Sequence, residues 1–134
     1  MTAIFIDTNI ALYALSGDVV KSATVDRLLA LRPLISVQVV NEFINVGRRK
    51  MGFSREEIYA LAGDLMRACQ VRPLTEDTVF TAMQIARRYQ FSHWDSLIIA
   101  VAMQAHCTIL YSEDLQHGQI IEGLTVLNPF ISSC

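Results

Sequence analysis

Two kinds of hydrophobic pattern alternate along the chain. Short, nearly continuous runs of apolar residues predict buried strands, and longer segments with apolar residues every three or four positions predict amphipathic helices. The predicted strands are residues 4–6, 34–36, 70–74, 108–111 and 124–127. The predicted helices are residues 10–15, 18–31, 37–50, 55–69, 75–89 and 92–105. Strands that alternate with helices indicate parallel β-α units with right-handed crossovers, so the chain is predicted to have an α/β fold.

Local signals support several of these boundaries. Ser54 and Glu57 have the spacing of a capping box, which predicts that a helix begins at residue 55. Residues 94–105 are apolar on nearly every face, which is typical of a helix buried in the middle of a fold. The chain has 134 residues with no internal repeat or linker, so residues 1–134 are expected to form one domain.

Composition also favours a folded protein with a large apolar interior. The chain is 52% hydrophobic and 18% charged, which excludes intrinsic disorder and favours a protein that buries surface in its own core or against a partner. Oligomerisation is therefore expected. The formal net charge of -2 does not by itself suggest a nucleic-acid ligand.

Cysteine usage indicates a reducing environment. Cys69, Cys107 and Cys134 are widely spaced and lack C-x-x-C spacing, which argues against both a disulfide framework and a zinc site. No signal-like segment precedes Asp7, and the longest apolar tract, residues 96–105, is too short to span a bilayer. A cytoplasmic protein without a membrane segment is the expectation.

Four acidic residues follow predicted strands or begin the helices after them. Asp7 ends the first strand, Glu42 lies in the helix after the second, Asp95 lies in the first turn of the apolar helix, and Asp114 follows the fourth strand. Ligands of α/β proteins bind at the carboxyl ends of the parallel strands. We therefore expect the four carboxylates to face the same edge of the sheet.

Each of these acids also has a purely structural interpretation. Asp7 or Thr8 would serve as a helix cap, and Asp95 would complete a capping box that begins at Ser92. Glu42 would be the solvated edge of an amphipathic helix, and Asp114 would be an ordinary polar loop residue. Without a metal site, all four structural interpretations would have to be correct at once. A bound cation explains all four acids together, because carboxylates crowded at one edge repel one another unless a cation lies between them.

The ligand chemistry of such a site predicts a hard divalent ion. Oxygen ligands without a thiolate or histidine cluster favour Mg2+ or Mn2+ and disfavour zinc. A metal of this kind suits phosphoryl chemistry, because it activates water and neutralises charge on a phosphate. Thr8, Asn9 and Ser96 are candidates to support the ligands or to position the phosphate.

Two residues beside Asp95 allow more than one interpretation. His93 is expected to have a surface or positioning role, since residues two apart on a helix do not face each other and an H-x-D ligand pair is therefore disfavoured. Trp94 is expected to pack beneath the sheet, and stacking on a nucleobase is the alternative.

With these residues in view, the sequence resembles the PIN domains, and in particular the VapC-like ribonuclease toxins of toxin-antitoxin pairs, over essentially its whole length. The resemblance rests on an ordered set of motifs: Phe5-Ile6-Asp7-Thr8-Asn9, Val40-Asn41-Glu42-Phe43, His93-Trp94-Asp95-Ser96-Leu97-Ile98-Ile99-Ala100, Tyr111-Ser112-Glu113-Asp114-Leu115-Gln116-His117-Gly118 and Val126-Leu127-Asn128-Pro129-Phe130. It implies a five-stranded parallel sheet of order 3-2-1-4-5 with helices on both faces.

The resemblance also implies a site and partners. Asp7, Glu42, Asp95 and Asp114 match the acids of a pocket that holds Mg2+ or Mn2+ in the family. Ser112 keeps the hydroxyl of the Thr that the family often has there and is a supporting residue. Asp114 matches the family spacing better than the neighbouring Glu113. The family implies cleavage of single-stranded RNA, a homodimer or toxin-antitoxin hetero-oligomer, and inhibition by a small antitoxin.

The leading hypothesis is a metal-dependent endoribonuclease. Asp7 and Asp95 would hold the ion, while Glu42 and Asp114 would complete the acidic ring or orient the water. Setting these four aside leaves 9 of the 13 acidic residues against 11 basic ones. Basic clusters would then guide the RNA backbone: Arg48, Arg49, Lys50, Arg87 and Arg88.

Three alternatives remain open on the sequence alone. One is a PIN nuclease of RNA processing without a toxin role. Another is a phosphotransferase with Asp7 as nucleophile, although Asn9 stands where haloacid-dehalogenase enzymes expect a second Asp. The third is a binding module that keeps the fold without catalysis.

Overall fold

A mostly parallel sheet forms the centre of the computed structural model, which describes residues 3–131. Cys134 lies outside the described residues. The strands are β1 (Ile4–Ile6), β2 (Leu34–Ser36), β3 (Gln70–Arg72), β4 (Ile109–Tyr111), β5 (Ile120–Ile121) and β6 (Leu124–Leu127). They lie in the order β3-β2-β1-β4-β6-β5, and every neighbouring pair is parallel except β5 and β6. The five predicted strands and their order are therefore confirmed, with β6 as the fifth.

The additional strand β5 is a correction to the predicted sheet. It pairs antiparallel with β6, and Ile121 is opposite Leu124, so only Glu122 and Gly123 connect the two strands. Both connecting residues have positive φ, 49° and 86°. A two-residue hairpin of this type requires positive φ at both positions, which glycine adopts without strain. The strand has only two residues, too few for a hydrophobic pattern to indicate it.

In the described part of the chain, six α-helices pack around the sheet, and each begins at a polar cap. They are α1 (Thr8–Leu12), α2 (Val19–Leu29), α3 (Val37–Arg49), α4 (Arg55–Ala68), α5 (Glu76–Tyr89) and α6 (His93–Gln104). The predicted capping box of Ser54 and Glu57 is present in both directions. The first helix begins two residues earlier than predicted, because Asp7 caps it, and a 3-10 turn over Tyr13–Leu15 follows. None of the helices within residues 3–131 has the length and apolar content needed to cross a bilayer.

The core surrounds β1 and α6. Phe5 and Ile6 of β1 are completely buried, which explains why the first strand has no polar face. In α6 the buried residues run without interruption from Ser96 to Ala102. The prediction of a helix buried in the middle of the fold is thus confirmed for the central part of α6, but not for its first turn or for Met103 and Gln104 at its end.

Helices α3 and α4 approach each other closely at Gly47. A Cβ atom at this position would lie 2.3 Å from Ile58 Cδ1 and 2.8 Å from Ile58 Cγ1. Because Ile58 is fully buried, its side chain has little room to withdraw. The absence of a side chain at residue 47 therefore sets the distance between α4 and α3, the helix that carries Glu42.

Candidate active site

Asp7 lies at the carboxyl end of β1, the third strand in the order across the sheet. Its backbone amide donates to the carbonyl oxygen of Tyr111, which extends the pairing of β1 with β4 by one residue. Its side chain is 5% exposed and caps α1 by accepting a hydrogen bond of 2.6 Å from the Thr8 amide. The other carboxylate oxygen accepts a bond of 3.0 Å from Ser112 Oγ. Asp7 is thus a helix cap, and it also projects to the sheet edge that was predicted to hold the site.

Burial raises the pKa of the Asp7 carboxyl to about 6. The hydrogen bonds from Ser112 and Thr8 favour the charged form and oppose this rise, while the negative charges of Asp95 and Asp114 add to it. The structure therefore brings acids from β1, α6 and the loop after β4 close enough to repel one another.

Glu42 extends from α3 toward the same edge and is held by two hydrogen bonds. Its Oε2 accepts from Thr8 Oγ1 at 2.8 Å, and its Oε1 accepts from Gln38 Nε2 at 2.9 Å. Thr8 thus contacts two acids, since its amide binds Asp7 and its hydroxyl binds Glu42. Glu42 is half-buried at the edge of the amphipathic helix α3. Its two hydrogen bonds also orient its carboxylate at the site.

Asp95 lies in the first turn of α6, where its amide donates to the capping hydroxyl of Ser92 at 3.1 Å. Partial burial raises the pKa of its carboxyl; a hydrogen bond with Ser92 opposes the rise, and the charges of Asp114 and Glu42 add to it. Asp95 is therefore close to Asp114, to Glu42 and to Asp7. The structure places all four predicted acids in one cluster, here called the acidic corner: Asp7, Glu42, Asp95 and Asp114.

The adjacent acids Glu113 and Asp114 point to different partners. Glu113 accepts hydrogen bonds from Tyr13 Oη at 2.6 Å and from Lys21 Nζ at 2.8 Å, and the Lys21 bond is the main reason that its pKa is lowered. Asp114 instead accepts a hydrogen bond from the side-chain amide of Asn9. Glu113 thus has a cationic partner, whereas Asp114 adds its charge to those of Asp7 and Asp95.

The hydroxyl of Ser96 is the one buried side-chain polar atom within residues 3–131 that has no hydrogen-bond partner. Ser96 is completely buried and follows Asp95 directly in α6. A buried hydroxyl without a partner is costly and calls for a bound water, ion or ligand. The other predicted supporting residues are Thr8, Asn9 and Ser112, and the side chain of each donates to one of the four acids.

The donor chemistry of the acidic corner fits a hydrated Mg2+ or Mn2+ ion. The four acids all offer oxygen ligands, and like charges add to the rise in the pKa of Asp7 and Asp95 that burial causes. In the part of the chain that the structure describes, no group of three or more Asp, Glu, His or Cys side chains is arranged to hold a metal ion by itself. Mg2+ does not require one, because it usually keeps several waters and binds directly to one or two carboxylates.

Trp94 corrects a sequence-based expectation. It does not pack beneath the sheet: its side chain is 62% exposed on the first turn of α6, because the buried part of this helix begins only at Ser96. With residues of α3 it lines an open groove of about 490 Å³. The lining residues are Gln38, Asn41, Glu42, Asn45 and Trp94. His93 is exposed, and its ring meets that of Trp94 edge to face at 5.8 Å, in agreement with a surface role.

Sequence reasoning missed the three amides of this groove. Gln38, Asn41 and Asn45 are spaced so that they share one face of α3 with Glu42. The sequence does contain a signal for them: Gln38 and Asn45 lie four and three positions from Glu42, which was already a candidate site residue, and Asn41 directly precedes it.

The predicted basic clusters differ in their surroundings. Arg49 and Lys50 line a second groove, of about 460 Å³, together with Asn45 and Val46, while Arg48 is an exposed neighbour. Because Asn45 lines both grooves, the second groove continues from the first along α3. At the end of α5, Arg88 is instead paired with Glu122 of the β5–β6 turn at 2.6 Å, and the adjacent Arg87 is exposed.

Comparison with known proteins gives a family and a set of related folds. The sequence model of the PIN domain matches residues 4–121. A comparison with curated proteins returned no significant match.

Several solved structures share the fold at low sequence identity. VapC20 of Mycobacterium tuberculosis, described as a toxin that cleaves the sarcin-ricin loop, is 22% identical, with 84% of this chain and 90% of that chain covered and a TM-score of 0.65. A toxin-antitoxin complex from Klebsiella pneumoniae is 18% identical, with 96% and 98% covered and a TM-score of 0.71. DNA-bound VapBC from Salmonella typhimurium is 16% identical, with 94% and 97% covered and a TM-score of 0.69.

Proposed function

The chain belongs to the PIN domain family, and on that basis we propose that it is an endoribonuclease that depends on Mg2+ or Mn2+. The observation that carries the proposal is the acidic corner, where four carboxylates come together from separate parts of the chain. Burial raises the pKa of Asp7 and of Asp95, and the charges of neighbouring acids add to this rise. Such an arrangement is unfavourable without a cation and favourable with one.

Each side chain of the corner has a role in this proposal. Asp7 and Asp95 would hold the ion, since they are the two acids of the corner whose pKa is raised by burial and by the charges of neighbouring acids. Glu42, oriented by Thr8 and Gln38, and Asp114, oriented by Asn9, complete the acidic ring and orient the attacking water. When bound, the ion supplies a water of lowered pKa and neutralises charge on the scissile phosphate.

Hydroxyl and cationic groups support the reaction. Ser112 holds the orientation of Asp7 by its hydrogen bond, and the unpartnered hydroxyl of Ser96 is available to a water or phosphate oxygen. Arg49 and Lys50, with Arg48 beside them, are the cations on the α3 side that attract the RNA backbone. Arg87 and Arg88 remain weaker candidates, because Arg88 is already paired with Glu122.

Asp7 is poorly placed for the alternative role of a phosphotransferase nucleophile. Its carboxylate is nearly inaccessible, and both of its oxygens accept hydrogen bonds. A nucleophile must be able to reach the phosphorus atom in line with the leaving group. Holding an ion requires only one free lone pair on the carboxylate.

A cleavage assay with purified full-length protein tests the proposal. Single-stranded RNA oligonucleotides and total tRNA and rRNA are incubated with Mg2+ or Mn2+, and in parallel with EDTA. We expect cleavage only with the ions, and a loss of about 100-fold or more in Asp7→Asn and Asp95→Asn, because changes to outer-sphere residues alone cost about 10- to 100-fold. Asp64→Asn, which removes an exposed carboxylate on α4, is the matched control. Unchanged cleavage by the two site variants would refute the proposed function.

We further propose that the protein acts in the cytoplasm as the toxin of a toxin-antitoxin pair, either as a homodimer or in a hetero-oligomer with a small antitoxin. Support comes from the solved structures of similar fold, which are themselves toxins or toxin-antitoxin complexes. Expression should arrest growth, Asp7→Asn should abolish the arrest, and co-expression of a small protein encoded in the adjoining reading frame should restore growth. Cleavage without growth arrest would favour an RNA-processing nuclease, and neither cleavage nor ion binding would favour a binding module.

A further inference from the structure

We propose that Trp94 and the amides of Gln38, Asn41 and Asn45 form a binding site for one unpaired nucleobase of the RNA, beside the acidic corner. The inference rests on the proposed function and extends it from the class of substrate to the way in which the substrate is held. The groove that these residues line has a volume of about 490 Å³, which is within the range of small-ligand sites.

Trp94 provides a flat apolar surface that the fold leaves uncovered. It is the single tryptophan of the chain, and its side chain remains 62% exposed although α6 is buried from Ser96 to Ala102. When a ligand stacks on a large exposed aromatic side chain, the apolar ring is removed from water, which stabilises the complex. Nucleobases stack on aromatic side chains irrespective of sequence, since every base has a π-face.

The opposite side of the groove is polar, with three amides beside the carboxylate of Glu42. Gln38, Asn41 and Asn45 are three amides on one face of α3, and each amide offers both donors and an acceptor. The edges of a nucleobase present the same mixture of donors and acceptors. An apolar segment of a protein in this groove would leave the amides without partners, which makes it the less suitable occupant.

The position of the groove connects it to the chemistry. Glu42 lines the groove and belongs to the acidic corner, and Trp94 immediately precedes Asp95. A base that stacks on Trp94 would therefore lie next to the proposed metal site. Gln38 takes part in both functions, because its amide also donates to Glu42 at 2.9 Å.

The adjoining groove supplies the charge complementarity that RNA requires. Arg49 and Lys50 line it, and Asn45 is common to both grooves. A strand whose base contacts Trp94 can extend its phosphates along α3 toward these cations, away from the repulsion of the acidic corner. The two grooves thus present a flat aromatic surface, then a row of amides and then two cations. This order of groups suits an unpaired nucleotide and its neighbouring phosphates.

The single tryptophan makes the proposal directly measurable. Tryptophan fluorescence of the full-length Asp7→Asn protein, which is expected not to cleave, is followed on titration with single-stranded oligo(U), oligo(A) and oligo(C) RNA. We expect at least one of them to quench the fluorescence, and an abasic nucleotide moved along that oligonucleotide should remove the quenching at one position. Absence of quenching by all three would overturn the proposal, as would quenching that no abasic position alters.

Variants in the cleavage-competent background give the second measurement. Trp94→Ala should raise Kd or KM for RNA by roughly 5- to 150-fold, the equivalent of about 1–3 kcal/mol, and Trp94→Phe should recover part of the loss. Tyr59→Ala removes a comparably exposed aromatic side chain on α4, 56% exposed, and should have no effect. Asn41→Ala and Asn45→Ala should alter the order of preference among the oligonucleotides, whereas Gln84→Ala on the exposed side of α5 should not.

The two proposals fail in different ways. If Asp7→Asn and Asp95→Asn abolish cleavage while Trp94→Ala leaves KM unchanged, the base site is refuted and the nuclease function stands. If the wild-type protein cleaves no RNA but an oligonucleotide still quenches Trp94 in a base-dependent manner, the nuclease function is refuted and the base site stands. Quenching by a protein partner but not by RNA would identify the groove as a protein-docking site and overturn the proposal.

Discussion

The hydroxyl of Thr8 donates a hydrogen bond of 2.8 Å to Glu42, across 34 positions of sequence. The backbone amide of the same residue donates to Asp7, the N-cap of α1, so one side chain and its backbone orient two acids from different parts of the chain. Removing the hydroxyl should release Glu42 while leaving the cap of α1 intact.

Thr8→Val should therefore lower kcat/KM for RNA cleavage by about 10- to 100-fold, the usual cost of removing a group that orients a metal-site residue. Thr8→Ser keeps the hydroxyl and should retain most of the activity. Circular dichroism and the unfolding temperature of both variants identify any loss that is due to misfolding. Equal activity in Thr8→Val and the wild type would show that the orientation of Glu42 is unimportant for the reaction.

Asp7 should make the metal-free protein less stable as the pH rises. Burial raises the pKa of its carboxyl from 3.8 to about 6, so between these values the folded state binds more protons than the unfolded state. The free energy of unfolding then falls with rising pH over this window, by about 3 kcal/mol in total. Urea denaturation in EDTA from pH 4 to pH 8 measures the effect.

Asp7→Asn should remove most of this pH dependence and should stabilise the metal-free protein above pH 6 while abolishing cleavage. Addition of Mg2+ should stabilise the wild type more than the variant, because ligand binding to the folded state adds to the free energy of unfolding. A wild-type stability that rises between pH 4 and pH 7 would contradict the expected destabilisation by the Asp7 charge.

Asp114 and Glu113 should respond differently to loss of charge. Asp114→Asn should strongly lower cleavage, because Asp114 lies in the acidic corner and is held by Asn9. Glu113→Gln should leave cleavage nearly unchanged and weaken the fold by less than about 1 kcal/mol, since its pair with Lys21 is partly exposed to solvent. Parallel cleavage and denaturation measurements distinguish them, and the opposite pattern would place Glu113 in the site.

Gly47→Ala should destabilise the protein by about 1–3 kcal/mol, because the new methyl group would overlap with the buried Ile58. Combining it with Ile58→Val should recover part of the loss. Gly63→Ala on α4 is the matched control: the nearest atom to its Cβ is the mobile end of Arg67 at 3.5 Å. In an exposed helix this change should stabilise by up to about 1 kcal/mol. Equal unfolding temperatures for the two alanine variants would refute the close approach of α3 and α4.

The strands and helices that carry the acids could be predicted from the local pattern of apolar and polar residues. The apolar run before Asp7 predicts a buried strand, and the start of the apolar helix at Ser92 puts Asp95 in its first turn, as observed. Strand and helix signals depend on residues within a few positions of one another, which is why they can be read without knowledge of the fold. The parallel order of five strands also followed, through the resemblance to a known family.

Tertiary structure alone decided which neighbours these residues meet. Glu113 and Asp114 are adjacent and chemically alike, and they differ because Lys21 lies near the first and Asn9 near the second. Trp94 belongs to an apolar helix by pattern, yet it is exposed because the core covers that helix only from Ser96 onward. The sequence by itself determined the strands, the helices and the candidate acids, because these depend on local periodicity. The pairing of side chains about 100 positions apart depends on how the elements pack, and only the folded chain determines it.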